Sequence, residues 1–344
     1  MSVFVRRTIT FIIGNGFDLQ LGLATRYDQF LEWYIKQSSE DKDIAEFKTF
    51  LKENEHSEWW TDAELAMGKY ISEFLPIDKY YKLIRDFKIK LVEYLKIQDA
   101  KFVVSDDRTI GNIFVRFLND FSKEILLPRQ TTDIFTPHQH IAYNFITFNY
   151  TSALSRILEA TKTVCNDPEN LKYQTVSFDS CVAIHNSLDS QIIMGVNDET
   201  QLDIAPENLD EKLIRTMIKP ETNRALGRGE DFKVTYLIEN SNIIVIYGWS
   251  MGPTDDKWRS EISAWLEKQD HYIVVFRNEK MQGVNTAIAE DILDFVLREK
   301  DRFIDNLYSF SIDDSKRIEL RNKISIIDKT DLLNFNIVND DNSK

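Results

Sequence analysis

The stretch from Thr8 to Asp18, Thr-Ile-Thr-Phe-Ile-Ile-Gly-Asn-Gly-Phe-Asp, constrains the fold of this chain more than any other. A β-branched apolar run, the composition of a buried strand, breaks abruptly into Gly14-Asn15-Gly16. Glycine tolerates positive φ and has no Cβ, so backbone amides at such a turn can come close to a phosphate. A buried strand, a glycine turn and a helix in succession make the first unit of a nucleotide-binding α/β sheet. Leu19 stands where the dinucleotide fingerprint has its third glycine, so an ordinary strand-to-helix turn is the competing reading.

The rest of the chain extends that unit. Thr25 stands where its hydroxyl would cap a helix carrying Phe30, Leu31, Tyr34 and Ile35 on one face. Residues 38–132 change character, with charged and aromatic residues in helical periods, and read as a helical insertion between the first two strands. Apolar runs at 142–150, 181–184, 191–194, 242–248 and 272–276 predict strands, with a short one at 324–327. Helical patterns separate them at 152–160, 208–225, 255–267 and 287–297. Apolar strands alternating with helices predict an α/β fold, a mostly parallel sheet with helices on both faces. The expected division is an α/β nucleotide-binding domain from 1–37 and 133–330, the insertion as a lid over its cleft, and a tail at 331–344.

Composition narrows the partners. A net charge of −14 repels a phosphate backbone, which argues against general nucleic-acid binding. The two cysteines lack metal-ligand spacing and suit a reducing cytoplasm. No apolar stretch approaches the roughly 18 residues that a membrane span requires. A soluble, cytoplasmic protein without a membrane partner is expected. His138-Gln139-His140 has no acidic or thiol partner at metal-binding spacing, so no metal is expected. Neither a Gly-x-Ser-x-Gly elbow nor a phosphate-binding Gly-x-x-x-x-Gly-Lys loop occurs.

Polar residues gather where strands end: Gly14-Asn15-Gly16, Thr147 to Thr151, His185-Asn186, and Gly248-Trp249-Ser250 with Asp255. In an open parallel sheet the ligand crevice lies outside those carboxyl ends, so clusters distant in sequence would converge on one site. Asn15-Gly16-Phe17-Asp18, with Gly22-Leu23 and Thr25-x-Tyr27-x-x-Phe30, resembles the opening of the AbiH bacteriophage abortive-infection family. Phe148-Asn149-Tyr150-Thr151, Ile184-His185, Ile193 to Asp198, and Tyr247-Gly248-x-Ser250-Met251-Gly252-x-x-Asp255 resemble its later motifs. Trp60-x-Asp62-x-Glu64 is similar to a Trp and acidic pair in the family's insertion. More distantly, the order of motifs is similar to sirtuin-like, Rossmann-like domains of bacterial defence systems. Two departures stand out: Asn186 where the pattern has Gly, and Trp249 where it has His.

The resemblance implies an NAD-type nucleotide in the crevice and cleavage of its nicotinamide–ribose bond. Nicotinamide leaves as a neutral pyridine, so the enzyme must position water and stabilise the ribose. Asn149 can accept from water while its amide donates, or it caps the following helix. His185 can take a proton at neutral pH, or it is structural. Asp18 caps a helix or accepts from a ribose hydroxyl, and Asp255 with Ser250 does one or the other. Glu64 reaches the cleft only if the insertion covers it, and otherwise lies on a solvated face. Gly14, Asn15, Gly16, Asp18, Thr147, Gly248, Ser250 and Asp255 are the expected nucleotide contacts, with Asn149 and His185 catalytic. A non-catalytic nucleotide sensor is the alternative. A phage-derived trigger and self-association remain open; hydride transfer does not fit a fingerprint without its third glycine.

Overall fold

Long apolar strand runs have one low-energy arrangement, a sheet buried on both faces. In the computed structural model, which describes residues 6–103, 106–124, 140–165, 175–277 and 284–327, six such strands form one parallel sheet. They are β1 (Arg6–Ile13), β2 (His140–Thr147), β3 (Thr175–Ala183), β4 (Ile243–Tyr247), β5 (Tyr272–Phe276) and β6 (Ile324–Ile327). The order is β3-β2-β1-β4-β5-β6, the doubly wound arrangement whose direction of winding reverses between β1 and β4. Register aligns all six ends. Ile13 pairs with Thr147 and Tyr247, Thr147 with Ala183, Tyr247 with Phe276, and Phe276 with Ile327. Whatever follows each strand therefore emerges at one rim.

The helices among the described residues are α1 (Gly16–Gln20), α2 (Tyr27–Tyr34), α3 (Lys42–Glu53), α4 (Glu58–Thr61), α5 (Ala63–Lys69), α6 (Ile77–Asp99) and α7 (Asp107–Glu124). After β2 come α8 (Ala153–Cys165), α9 (Glu211–Met217), α10 (Lys219–Ala225), α11 (Glu230–Glu239), α12 (Asp256–Leu266), α13 (Ala289–Leu307) and α14 (Asp314–Lys323). Alternation along β1 builds two cores. Ile9, Phe11 and Ile13 face α7 and α8, where Phe114, Phe117, Leu154 and Ile157 are buried. Ile12 faces the other way, toward Val234, Ile238, Ile262 and Trp265 of α11 and α12.

A third core lies apart from the sheet, among helices α2 to α6. Phe87 sits at its centre, fully buried, with the rings of Phe30, Tyr34, Phe47 and Trp59 around it at 5.0 to 6.3 Å. Met194, Leu213 and Met217 come from far along the chain to complete it. The C-terminal end of α6 is fastened to the start of α8, where Asp99 accepts from the amide and hydroxyl of Ser152, both at 2.8 Å. Thus α6 runs from the helical core to the sheet.

Several expectations need correction. Residues 191–194 are not a strand. Ile193 and Met194 are buried in a loop whose Ile193 amide donates to the His185 carbonyl at 2.9 Å. The helical pattern at 208–225 is two helices, broken at Ile218, which has extended backbone and precedes Lys219-Pro220. Thr25 does not cap α2; the N-cap is Arg26, and the Thr25 hydroxyl donates to Asn15 Oδ1 at 2.5 Å. The segment containing His138 lies outside the described residues.

Candidate functional site

The turns after β1 and β4 meet backbone to backbone at the point where the winding reverses. The Gly14 amide donates to the Tyr247 carbonyl and the Gly16 amide to the Gly248 carbonyl, each at 2.9 Å. A Cβ on Gly14 would lie 2.4 Å from the Trp249 Cα, and one on Gly16 2.7 Å from the Gly248 Cα. Gly248 itself has φ +65°. The small size of these glycines thus serves the contact between the two turns, and the amides of Gly14 and Gly16 are engaged in it. Asn15 ties the turn to the next loop, its Nδ2 donating to the Thr25 carbonyl at 3.3 Å.

Beyond the rim opens a cleft of about 820 Å³. Residues following β1, β2, β3 and β4 line it, together with Asp62 and Glu64 of the helical segment. Thr147 Oγ1 accepts from the Asn149 amide at 3.0 Å and so shapes the end of β2. Asn149 Nδ2 donates to Asp18 Oδ1 at 2.9 Å, and the Thr151 hydroxyl donates to Asp18 Oδ2 at 2.8 Å. Asp18 is therefore a clamp on the β2 turn; it caps no helix. Burial pushes its carboxyl up to about 7, against the opposing pull of the Thr151 and Asn149 hydrogen bonds. With its amide group fixed in this way, Asn149 leaves Oδ1 without a hydrogen bond among the described residues, beside the cleft.

His185 stands at the end of β3, 5% exposed, with Nε2 3.6 Å from Asp255 Oδ1. Its Nδ1 is buried without a hydrogen-bond partner among the described residues. The next residue, Asn186, which stands where the resembled pattern has Gly, adopts the left-handed backbone at φ +60°. Asparagine enters that region more readily than most residues. Trp249 lies parallel to Phe148, ring centres 4.8 Å apart, and its Nε1 donates to Asp255 Oδ2 at 3.1 Å. The indole therefore supplies a polar donor at the position where the resembled pattern has His. Ser250 is exposed in the cleft wall.

Asp255 starts α12 but makes no side-chain capping bond. Its carboxylate faces inward, to Trp249, His185 and the Lys219 ammonium, the last at 3.4 Å. Burial favours the neutral acid, but Lys219 with His185 and Trp249 outweighs it and holds the carboxyl near 2. Glu64 is buried too, not on a solvated face. Its Oε2 accepts from Lys219 Nζ at 2.7 Å, and its Oε1 from the hydroxyls of Tyr150 at 2.9 Å and Tyr27 at 3.1 Å. Burial alone would raise Glu64; the Lys219 charge brings it below its ordinary value. Asp62 opens α5, accepting from the Leu65 amide, and burial lifts it to about 6.

Sequence reasoning missed Lys219, and it quoted Tyr27 and Tyr150 within motifs without giving either a role. Lys219 belongs to no motif, and Pro220 beside it signals only a helix start. The described residues contain no group of His, Cys, Asp and Glu suited to a metal ion, and no helix long and apolar enough to cross a membrane.

The model of one family, described as Bacteriophage abortive infection AbiH, matches residues 10–277. That is well over half of the 344 residues, and the chain belongs to this family. No curated protein matches the sequence.

Proposed function

We propose that this AbiH-family protein acts in bacteriophage abortive infection by binding an NAD-type nucleotide in the cleft and hydrolysing its nicotinamide–ribose bond. One observation carries the reading: side chains following β1, β2, β3 and β4 converge on a single cleft where the sheet reverses its winding, the place such sheets hold nucleotides.

The polar groups suit the chemistry. Nicotinamide needs no proton to leave, so the task is to hold water against the ribose and to stabilise positive charge there. Asn149, its amide fixed by Asp18, offers an unengaged Oδ1 to a water or a ribose hydroxyl. Asp255 and Glu64 supply negative charge beside His185. The exposed Arg302 at the cleft edge makes no ion pair among the described residues and suits the phosphates. The amides of Gly14 and Gly16 do not, since Tyr247 and Gly248 hold them.

A non-catalytic nucleotide sensor is the second reading. The burial of His185 and its contact with Asp255 favour it, because a histidine so enclosed also serves structure alone. Turnover separates the two. Purified protein incubated with NAD should release nicotinamide, measured by chromatography, and Asn149→Ala and His185→Ala should each abolish release. Binding without release, in the presence of lysate from infected cells as well as in buffer, would establish the sensor instead.

A further inference from the structure

Lys219 is the most buried cation in contact with the cleft residues, and the proposed chemistry gives it no role. It enters from α10, its side chain 8% exposed, and touches two carboxylates that come from opposite sides: Glu64 of the helical segment at 2.7 Å and Asp255 of the sheet domain at 3.4 Å. Asp255 in turn lies 3.6 Å from His185 Nε2. Two buried carboxylates this close to one another repel strongly unless a cation lies between them.

We infer that Lys219 is the positioning residue of the cleft, fixing Asp255 against His185 and joining the helical segment to the site through Glu64. The inference rests on the catalytic reading of His185 only for its effect on turnover; the geometry it asserts stands apart from that reading. An isolated ion pair far from the chemistry would touch one carboxylate. Lys219 touches both, and each is held by further donors: Tyr27 and Tyr150 on Glu64, Trp249 on Asp255.

The charged groups facing His185 are Asp255 from α12, Glu64 from α5 and Lys219 from α10, while Phe148 and Tyr150 pack their rings on it. Asp62 and Arg259 act on Asp255 and its partners from the next layer, and Lys88 on Glu64. Removing the ammonium takes from Asp255 the cation that holds it in place against His185.

Lys219→Met alone strands two buried carboxylates and threatens folding. The informative comparison is therefore Glu64→Gln against the double variant Glu64→Gln/Lys219→Met, which differ only in Lys219 and leave one carboxylate fewer to compensate. The His185 imidazole signals, followed by NMR and identified with His185→Gln, should broaden or split in the double variant relative to Glu64→Gln, as for a ring no longer held in one position. In the turnover assay kcat should fall about tenfold between the same two proteins while KM changes less than about threefold. Equally sharp, single imidazole signals in the two folded proteins would overturn the inference. Absence of turnover in the wild type would defeat the hydrolase reading alone, and the imidazole signals would still decide the role of Lys219.

Discussion

The Gly16 amide donates to the Gly248 carbonyl at 2.9 Å, across the seam where β1 and β4 lie side by side. Neither residue can carry a side chain without displacing the backbone of the other turn. Gly14→Ala should therefore destabilise the protein by about 3 kcal/mol, the scale of overpacking against groups that cannot move aside. Gly22 has φ +79° but nothing within 4 Å of an added Cβ. Gly22→Ala should lose only about 1 kcal/mol, from the left-handed backbone alone. Urea denaturation of the two variants gives the contrast directly.

Asp18 links stability to pH. Its folded carboxyl titrates near 7, above the ordinary 3.8, so the stability it contributes is fully present below about pH 4 and is lost as pH rises through 7. Between pH 6 and pH 8 the wild type should lose about 1 kcal/mol through this group. Asp18→Asn cannot ionise and should show a correspondingly flatter profile. Denaturation midpoints at several pH values test it; parallel profiles for the two proteins would exclude the effect.

Trp249 makes two separable contributions. Trp249→Phe keeps a ring against Phe148 but removes the donor to Asp255, and should lower stability by about 1 to 2 kcal/mol. Trp249→Ala removes both and should lose about 3 to 5 kcal/mol. Thermal melts distinguish the pair: equal losses would mean that the stacked ring contributes nothing, and no loss in Trp249→Phe that the hydrogen bond contributes nothing.

At position 186 the backbone is left-handed, and the side-chain Nδ2 of Asn186 is buried without a partner among the described residues. Asn186→Gly should leave stability within about 0.5 kcal/mol, because glycine accepts the conformation and removes the orphaned donor. Asn186→Val should lose about 2 kcal/mol, since a β-branched residue is strained there. Melting temperatures that rank valine with glycine would contradict the assigned conformation.

Strands buried on both faces were the easiest elements to read. Tyr272–Phe276 and Ile243–Tyr247 are unbroken apolar runs, and neighbouring helical patterns left them no other place. The run Gln191-Ile-Ile-Met failed because burial in a loop produces the same composition as burial in a strand; only hydrogen bonding tells them apart. The strand-end polar clusters were legible as a set because parallel topology carries every strand end to one rim. The partners of each carboxylate were not. Glu64 and Lys219 are separated by 155 positions, and Asp18 and Asn149 by 131, so no local spacing encodes either contact. Capping was the natural local guess for Asp18 and Asp255, and in both the tertiary contact won.

The position of β4 beside β1 also sets a rule of timing. Asn242, just before β4, accepts from the Thr8 amide across a separation of 234 residues. A ribosome delivers the glycine turn early and its facing turn only after more than two thirds of the chain has emerged. Until then β1 lacks a neighbour on one side, and Asp255 is still to be added. A growing polypeptide, or one cut short before Asp255, carries the first motif but has no cleft to load. Strand order thus delays assembly of the cleft until both turns and Asp255 have been made.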